Sequence, residues 1–187
     1  MRFFWNALLQ AQGWTFRGSF PHHLPKAVVI VGPHTSSWDF VIGLAVRSKL
    51  NLHHLKFLGK DSLFKGPFGF FFRRLGGVPV DRFSANNMVD QVVHLFQTND
   101  AFVLALSPEG TRKKVERLRT GFYHIALKAK VPIVMAGMDF GKKELVLAEP
   151  FLPSGNADAD FEKILSFYAP LRGKIPAQGL QHLYPPR

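Results

Sequence analysis

Apolar residues along this chain come in two rhythms. Short, β-branched runs end at glycine, proline, serine or aspartate: Lys26 with AVVIV before Gly32-Pro33, residues 101–106 before Ser107-Pro108, VPV at 78–80, and residues 132–136. Runs of that length, stopped by turn residues, predict buried strands. Residues 53–58 and 144–148 read as two more strands. Between them, apolar positions recur at helical spacing: residues 2–12, Trp38 to about Leu50, Asn86 to Gln97, Gly121 to Lys130, and Asp160 to Tyr168. In the third of these, Val89, Val92, Val93 and Phe96 share a face; in the last, Phe161, Ile164, Leu165 and Tyr168 do. Gly18 to Pro25 is a loop, and the terminal YPPR is expected to fray. No repeat, low-complexity block or linker divides the chain. Strands alternating with helices predict a single α/β domain over 1–187, with a largely parallel central sheet flanked by helices. Residues 26–170 would form its core, with a helix and loop at 1–25 before it.

Residues 62–75, SLFKGPFGFFFRRL, follow neither rhythm. Here Phe64, Phe68, Phe70, Phe71 and Phe72 crowd beside Lys65, Arg73 and Arg74, and the chain as a whole holds 19 Phe. That composition suits a surface that meets lipid, although the same rings could roof the core. Residues 2–12 leave two readings open in the same way. Phe3, Phe4, Ala7, Leu8 and Ala11, with Trp5 and Trp14 nearby, suit a buried first helix or one lying at a bilayer interface.

The formal net charge of +11 points to anionic partners: nucleic acid, an anionic membrane face, or phosphate-bearing substrates. The absence of cysteine excludes disulfides, thiolate metal sites and a cysteine nucleophile. Apolar runs such as Val41–Val46 are far shorter than the ~20 residues of a membrane span. Asn6, Gln10 and Gln12 interrupt the N-terminal apolar stretch, so no signal peptide is expected and the protein is expected to begin at Met1. The histidine pairs His22-His23 and His53-His54 lack metal-ligand spacing, and no metal is expected.

Three segments placed just after strands carry candidate chemistry, which is where ligands gather in such folds. In the first, His34 precedes a helix start near Ser36, and Asp39 falls in the first turn. The carboxylate could fold back on one imidazole nitrogen and leave the other to take a proton. Ser36 to Asp39 is also a capping-box pattern, and on the pattern alone the cap is the commoner arrangement. No G-x-S-x-G elbow is present, so a base here would activate a substrate hydroxyl directly. In the second, Arg82 follows VPV. In the third, Ser107 to Arg112 reads SPEGTR, a turn bringing a hydroxyl, exposed amides and a guanidinium together.

His34-x4-Asp39, GGVPVDR at 76–82, PEGTR at 108–112 and VPIV at 131–134 together resemble, in order and spacing, the four motif blocks of the lysophosphatidate and glycerol-3-phosphate acyltransferase family. The resemblance spans about residues 33–134. It implies that His34 deprotonates the acceptor hydroxyl and Asp39 orients it, while Arg82 and the Glu109, Gly110, Thr111, Arg112 loop hold the acceptor phosphate. Lys60 looks like the family's lysine before the second block. Thr35, Trp38 and Pro79 depart from the usual occupants, and many relatives carry a long hydrophobic N-terminal segment that is not seen here.

The activity that the resemblance implies is O-acyl transfer from acyl-CoA or acyl carrier protein to a lysophospholipid acceptor, with no cofactor. The setting would be cytoplasmic, peripheral to an anionic membrane surface at the inner face of the cell membrane. Another lysolipid, an amino-acyl lipid or glycerol 3-phosphate could serve as acceptor. Thioester hydrolysis by the same pair is a rival, and so is a basic binding module. Nothing resembles a nucleic-acid-binding motif, and no nucleic-acid partner is expected.

Overall fold

The computed structural model describes residues 2–80 and 85–184. One sheet of seven strands forms its centre: β1 (Thr15–Arg17), β2 (Lys26–Gly32), β3 (Leu55–Lys60), β4 (Gly77–Val80), β5 (Phe102–Leu106), β6 (Ile133–Asp139) and β7 (Glu144–Leu147). Their spatial order is β1-β7-β6-β2-β5-β3-β4. All neighbours are parallel except β6 and β7. The helices are α1 (Arg2–Ala11), α2 (Trp38–Lys49), α3 (Ser62–Lys65), α4 (Gly69–Arg74), α5 (Ala85–Thr98), α6 (Gly121–Ala129) and α7 (Ala157–Tyr168). This is the single α/β domain with a largely parallel, helix-flanked sheet that the alternating rhythms predict. β2 sits between β5 and β6, and it is apolar from Ala27 to Val31 because both sheet faces are covered.

Three details go beyond the sequence expectation. β7 runs antiparallel because only a tight turn separates it from β6, too short for a crossover. β1 is three residues long, below the length that periodicity can register. Residues 62–75, which follow neither rhythm, form two short helices, because Gly66 and Pro67 break the backbone between them.

The two sheet faces are built differently. Val28, Ile30, Leu104, Ile133 and Met135 pack under α5, α6 and α7 in the main core. Strand register puts Val29, Val31, Ala105, Val134 and Ala136 on the other face. Small residues there leave the carboxyl end of that face open, and Val31, Ala105 and Ala136 are only half-buried. α2 lies across it with two apolar sides. Ile42 and Ala45 join Leu9 of α1 and Trp14, whereas Phe40, Gly43, Leu44 and Arg47 line a cavity. In the first helix Leu9 is fully buried and Phe4 is 63% exposed.

α7 braces the end of β2. Asn156 caps this helix by accepting from the Ala159 N–H at 3.2 Å. At its far end the fully buried Tyr168 donates its hydroxyl to the Ile30 carbonyl at 2.6 Å. The ring rests on Gly32, where a Cβ would stand 3.2 Å from Tyr168 Cε1. Burial, and then the nearby Glu109 carboxylate, push the phenol well above its ordinary pKa, so the hydroxyl remains a donor. Tyr168→Phe should cost about 1–3 kcal/mol, because a buried carbonyl loses this donor. Urea unfolding followed by circular dichroism measures the loss, and an unchanged midpoint would show that the hydroxyl supports nothing.

Candidate active site

β2 and β5 are neighbours in register, with Ile30 beside Leu106, so the loops that follow them emerge side by side. At the first loop the chain leaves β2 through a cis Gly32–Pro33 bond. The Asp39 side chain, fully buried, then organises everything up to α2. Its Oδ2 accepts from the N–H groups of Thr35 and Ser36, each at 2.7 Å, and lies 3.1 Å from His34 Nδ1. The reach-back half of the expected capping box, Asp39 onto the Ser36 N–H, and the His–Asp pair therefore share a single oxygen, whereas the Ser36 hydroxyl accepts from the Trp38 N–H at 3.2 Å and Ser37 is the N-cap. Asp39 Oδ1 has no partner among the described residues. A proton held on Nδ1 leaves the lone pair of His34 on Nε2. The His34 side chain keeps 29% of its surface exposed, enough to be reached by a substrate.

The second loop holds the first in place. Glu109 is 1% exposed and accepts from the His34 N–H at 2.6 Å and the Ser107 hydroxyl at 2.8 Å. Gly110 takes a left-handed φ of 66°, and a Cβ on it would press on Arg119 Cγ at 3.1 Å. That turn points Thr111 and Arg112 outward. Thr111 is half-buried, and its hydroxyl accepts from the Lys113 N–H at 3.3 Å. Arg112 reaches across to the first loop and donates to the Ser37 hydroxyl.

His34, Thr111 and Arg112 meet at a cavity of about 770 Å³, within the usual range for small-molecule sites. From this polar end it runs between α2 and the small-residue sheet face, past Val31, Gly43 and Ala136, to Arg47 and Leu50 at the far end of α2. Nothing stands within 4 Å of a Cβ placed on Gly43. The arrangement offers an oriented base at the mouth of a long apolar slot, with guanidinium groups on the rim.

Of the residues singled out in the sequence, His34, Asp39, Glu109, Gly110, Thr111 and Arg112 come together. Glu109 differs from the rest of its loop: its carboxylate faces inward, onto the His34 backbone. Arg82 follows β4 and lies outside the described residues, as does the side chain of Lys60, whose backbone ends β3.

Sequence reasoning missed three participants. Arg119 lines the cavity, and its signal was the basic run RKKVERLR at 112–119, five cations around one carboxylate. Ser37 offered no signal beyond its place beside the helix start. The third is the C-terminal segment beyond α7, which folds back over both loops. Ile175 N–H donates to the buried Thr35 hydroxyl at 3.2 Å, and the Gln178 amide nitrogen, turned inward, donates to the Thr35 carbonyl at 3.0 Å and to that of Arg112.

A family model described as Acyltransferase matches residues 16–139, about two thirds of the chain, including the His34 and Glu109 loops. The chain belongs to the acyltransferase family. No curated protein matches it significantly. The reaction class of this acyltransferase is therefore acyl transfer, and the paired loops and cavity are its candidate site.

Burial raises the Glu109 pKa above the ordinary carboxylate value, against the lowering effect of its hydrogen bonds from His34 and Ser107. A raised folded-state pKa means that the native protein holds this proton more tightly than the unfolded chain does. Its contribution to stability is then complete below the unfolded value near 4.5 and is lost as pH rises through the folded value. Glu109→Gln keeps an acceptor for the His34 N–H but cannot ionise. The stability of wild type relative to this variant should fall as the pH rises above 4.5. Chemical unfolding at a series of pH values tests it, and parallel curves would show that Glu109 does not titrate in this range.

Proposed function

We propose that this acyltransferase moves a fatty acyl group from a thioester, acyl-CoA or acyl carrier protein, onto the hydroxyl of a lysophosphatidate-type acceptor in phospholipid synthesis. One observation carries the reading: the His34 Nδ1–Asp39 Oδ2 pair at 3.1 Å, set at the mouth of the apolar cavity. His34 Nε2 takes the acceptor hydroxyl proton as the oxygen attacks the thioester carbonyl carbon. The tetrahedral intermediate collapses with cleavage of the carbon–sulfur bond, and the leaving thiolate takes the proton back from His34. Asp39 fixes the tautomer and favours the transient imidazolium. The acyl chain lies along the slot beneath α2. Arg112 and Arg119 hold the acceptor phosphate at the rim, Thr111 lies beside them, and Arg82 and Lys60 add positive charge from the neighbouring strand ends. Glu109 acts at one remove, by holding the His34 backbone.

The acceptor and the acyl chain both reside in lipid, which gives a use to the aromatic segment at α3 and α4. Phe68, Phe70 and Phe71 are 71%, 75% and 55% exposed, beside exposed Arg73 and Arg74. Phe64 of the same segment packs on Gly77, the register partner of the cavity residue Phe57. This segment rests on the anionic inner face of the cell membrane, from the cytoplasmic side, with the rings at the interface and the arginines toward lipid phosphates. No helix among the described residues is long and apolar enough to cross a membrane.

His34→Ala should lower transfer from labelled palmitoyl-CoA to lysophosphatidate in mixed micelles by about 10²–10⁴-fold, with the circular dichroism spectrum unchanged. An equally active variant would remove His34 from the chemistry, and thioester cleavage at one rate with or without acceptor would replace transfer by hydrolysis. Replacing Phe68, Phe70 and Phe71 with serine should reduce co-sedimentation with vesicles rich in phosphatidylglycerol by about tenfold or more. Activity on a short-chain, water-soluble substrate pair should be unaffected. Undiminished vesicle binding would place the contact elsewhere.

A further inference from the structure

A second cleft, of about 470 Å³, lies on the opposite side of the α2 N-terminus from the acyl slot. The α2 residues facing it are Trp38 and Ile42, whereas Phe40, Gly43, Leu44 and Arg47 face the slot. At 100° per residue these two sets occupy opposed faces of the helix. The remaining walls come from Trp14, from Phe140 and Lys143 around the β6–β7 turn, and from Arg172 and Lys174 in the C-terminal segment.

We propose that this cleft binds the phosphorylated adenine nucleotide head of coenzyme A, which makes coenzyme A rather than a carrier protein the donor's handle. The inference rests on the acyl-transfer reading and deepens it by naming the donor.

The charges are the first argument. Lys143, Arg172 and Lys174 are exposed, come from two separate segments, and meet no carboxylate within salt-bridge distance among the described residues. The acids close by are already engaged. Glu144 pairs with Arg17 at 3.2 Å, and Asp139 Oδ1 accepts from the Gly141 and Lys142 N–H groups at 2.8 and 3.1 Å. Three uncompensated cations around one concavity suit several phosphates held together.

The rings are the second argument. Trp38 is 50% exposed at the rim, a flat apolar surface with no covering group, while Trp14 is 6% exposed in the floor. Trp14 meets Phe140 edge-on at 5.0 Å, and Lys174 Nζ stands 5.7 Å from the Phe140 ring centre. A purine has the face that such rings stack on. An acidic protein surface would be met by the cations alone and has no use for a recessed aromatic wall.

The cleft is also held in shape. Phe140 N–H donates to the Arg172 carbonyl at 2.8 Å, and Ile175 N–H to Thr35 at 3.2 Å, so the C-terminal wall is bonded to the sheet and to the His34 loop. Trp38 stands four residues after His34. A nucleotide stacked there lies at the same end of α2 as His34.

The test is calorimetric titration of the full chain with adenosine 3′,5′-bisphosphate, with inorganic phosphate as the control. Saturable one-to-one binding of the nucleotide, well above that of phosphate, is expected. Trp38→Ala and the combined Arg172→Ala, Lys174→Ala variant should each weaken it about tenfold or more, since each removes the stacking surface or the charged contacts. His34→Ala should bind as wild type does. Absence of saturable binding overturns the proposal, as does binding no stronger than that of phosphate, or binding that both cleft variants leave unchanged. Transfer from acyl carrier protein without nucleotide binding would overturn it while sparing the acyltransferase reading. Nucleotide binding without transfer to any acceptor would sustain the cleft and defeat the reaction assigned to His34.

Discussion

One carboxylate oxygen sets the geometry on which the candidate site depends. Asp39 Oδ2 satisfies the Thr35 and Ser36 amides of the buried loop that leads into α2, and the same atom holds the imidazole of His34. An acid in a first helical turn is already favoured by the helix dipole. Local folding therefore fixes the loop and the tautomer together: one oxygen holds both the loop amides and the imidazole, so the loop cannot take another path without releasing the histidine. The buried Glu109 fixes the remaining freedom by holding the His34 backbone from the neighbouring strand. Orientation of the base is thus a by-product of closing a helix end and a strand end in the same place.

The second constraint is the inequality of the sheet faces. Large residues under three helices make one face a sealed core, while alanine and valine on the other stop short of α2. Stability comes chiefly from the first face, where burial is complete. The second face can then remain partly open at its carboxyl end, beside the base. Gly43 extends the opening into the helix itself. A leucine at Ala105 or Ala136 would improve packing and fill the slot, so the sequence keeps small residues where a better core was available to it.

Much of this was legible in the sequence, because strand and helix periods are local. β2, β5 and β6 announced themselves as short apolar runs, and α5 and α7 as one-sided helices, so the parallel α/β class followed directly. The three loops also declared themselves by their position after strands. The pattern offered a cap and a catalytic pair at Asp39 as competing readings, since spacing cannot tell that one oxygen serves both. Glu109 read as part of a polar turn because inward or outward orientation depends on its neighbour across the sheet, 75 positions away. The segment beyond α7, rich in glycine and proline, carries neither period, yet Ile175 reaches Thr35 across 140 positions. Contacts of that separation leave no periodic trace. The unusual Thr35 in the first motif makes sense only once that segment is in place against it.

The charge balance follows from the same architecture. The chain has 24 basic residues and 13 acidic ones. Four of the acids, Asp39, Glu109, Asp139 and Asp160, are buried and spent on loop amides: Thr35 and Ser36, His34, Gly141 and Lys142, and Ser154 respectively. The first three stand at or just beyond the carboxyl ends of β2, β5 and β6. Turning carboxylates inward to tie these loops leaves the guanidinium and ammonium groups of the same loops without carboxylate partners among the described residues. An electropositive rim is then the direct consequence of how the loops are fastened. It makes the carboxyl edge of the sheet attractive to phosphate on both sides of α2, while the base between them faces an apolar slot.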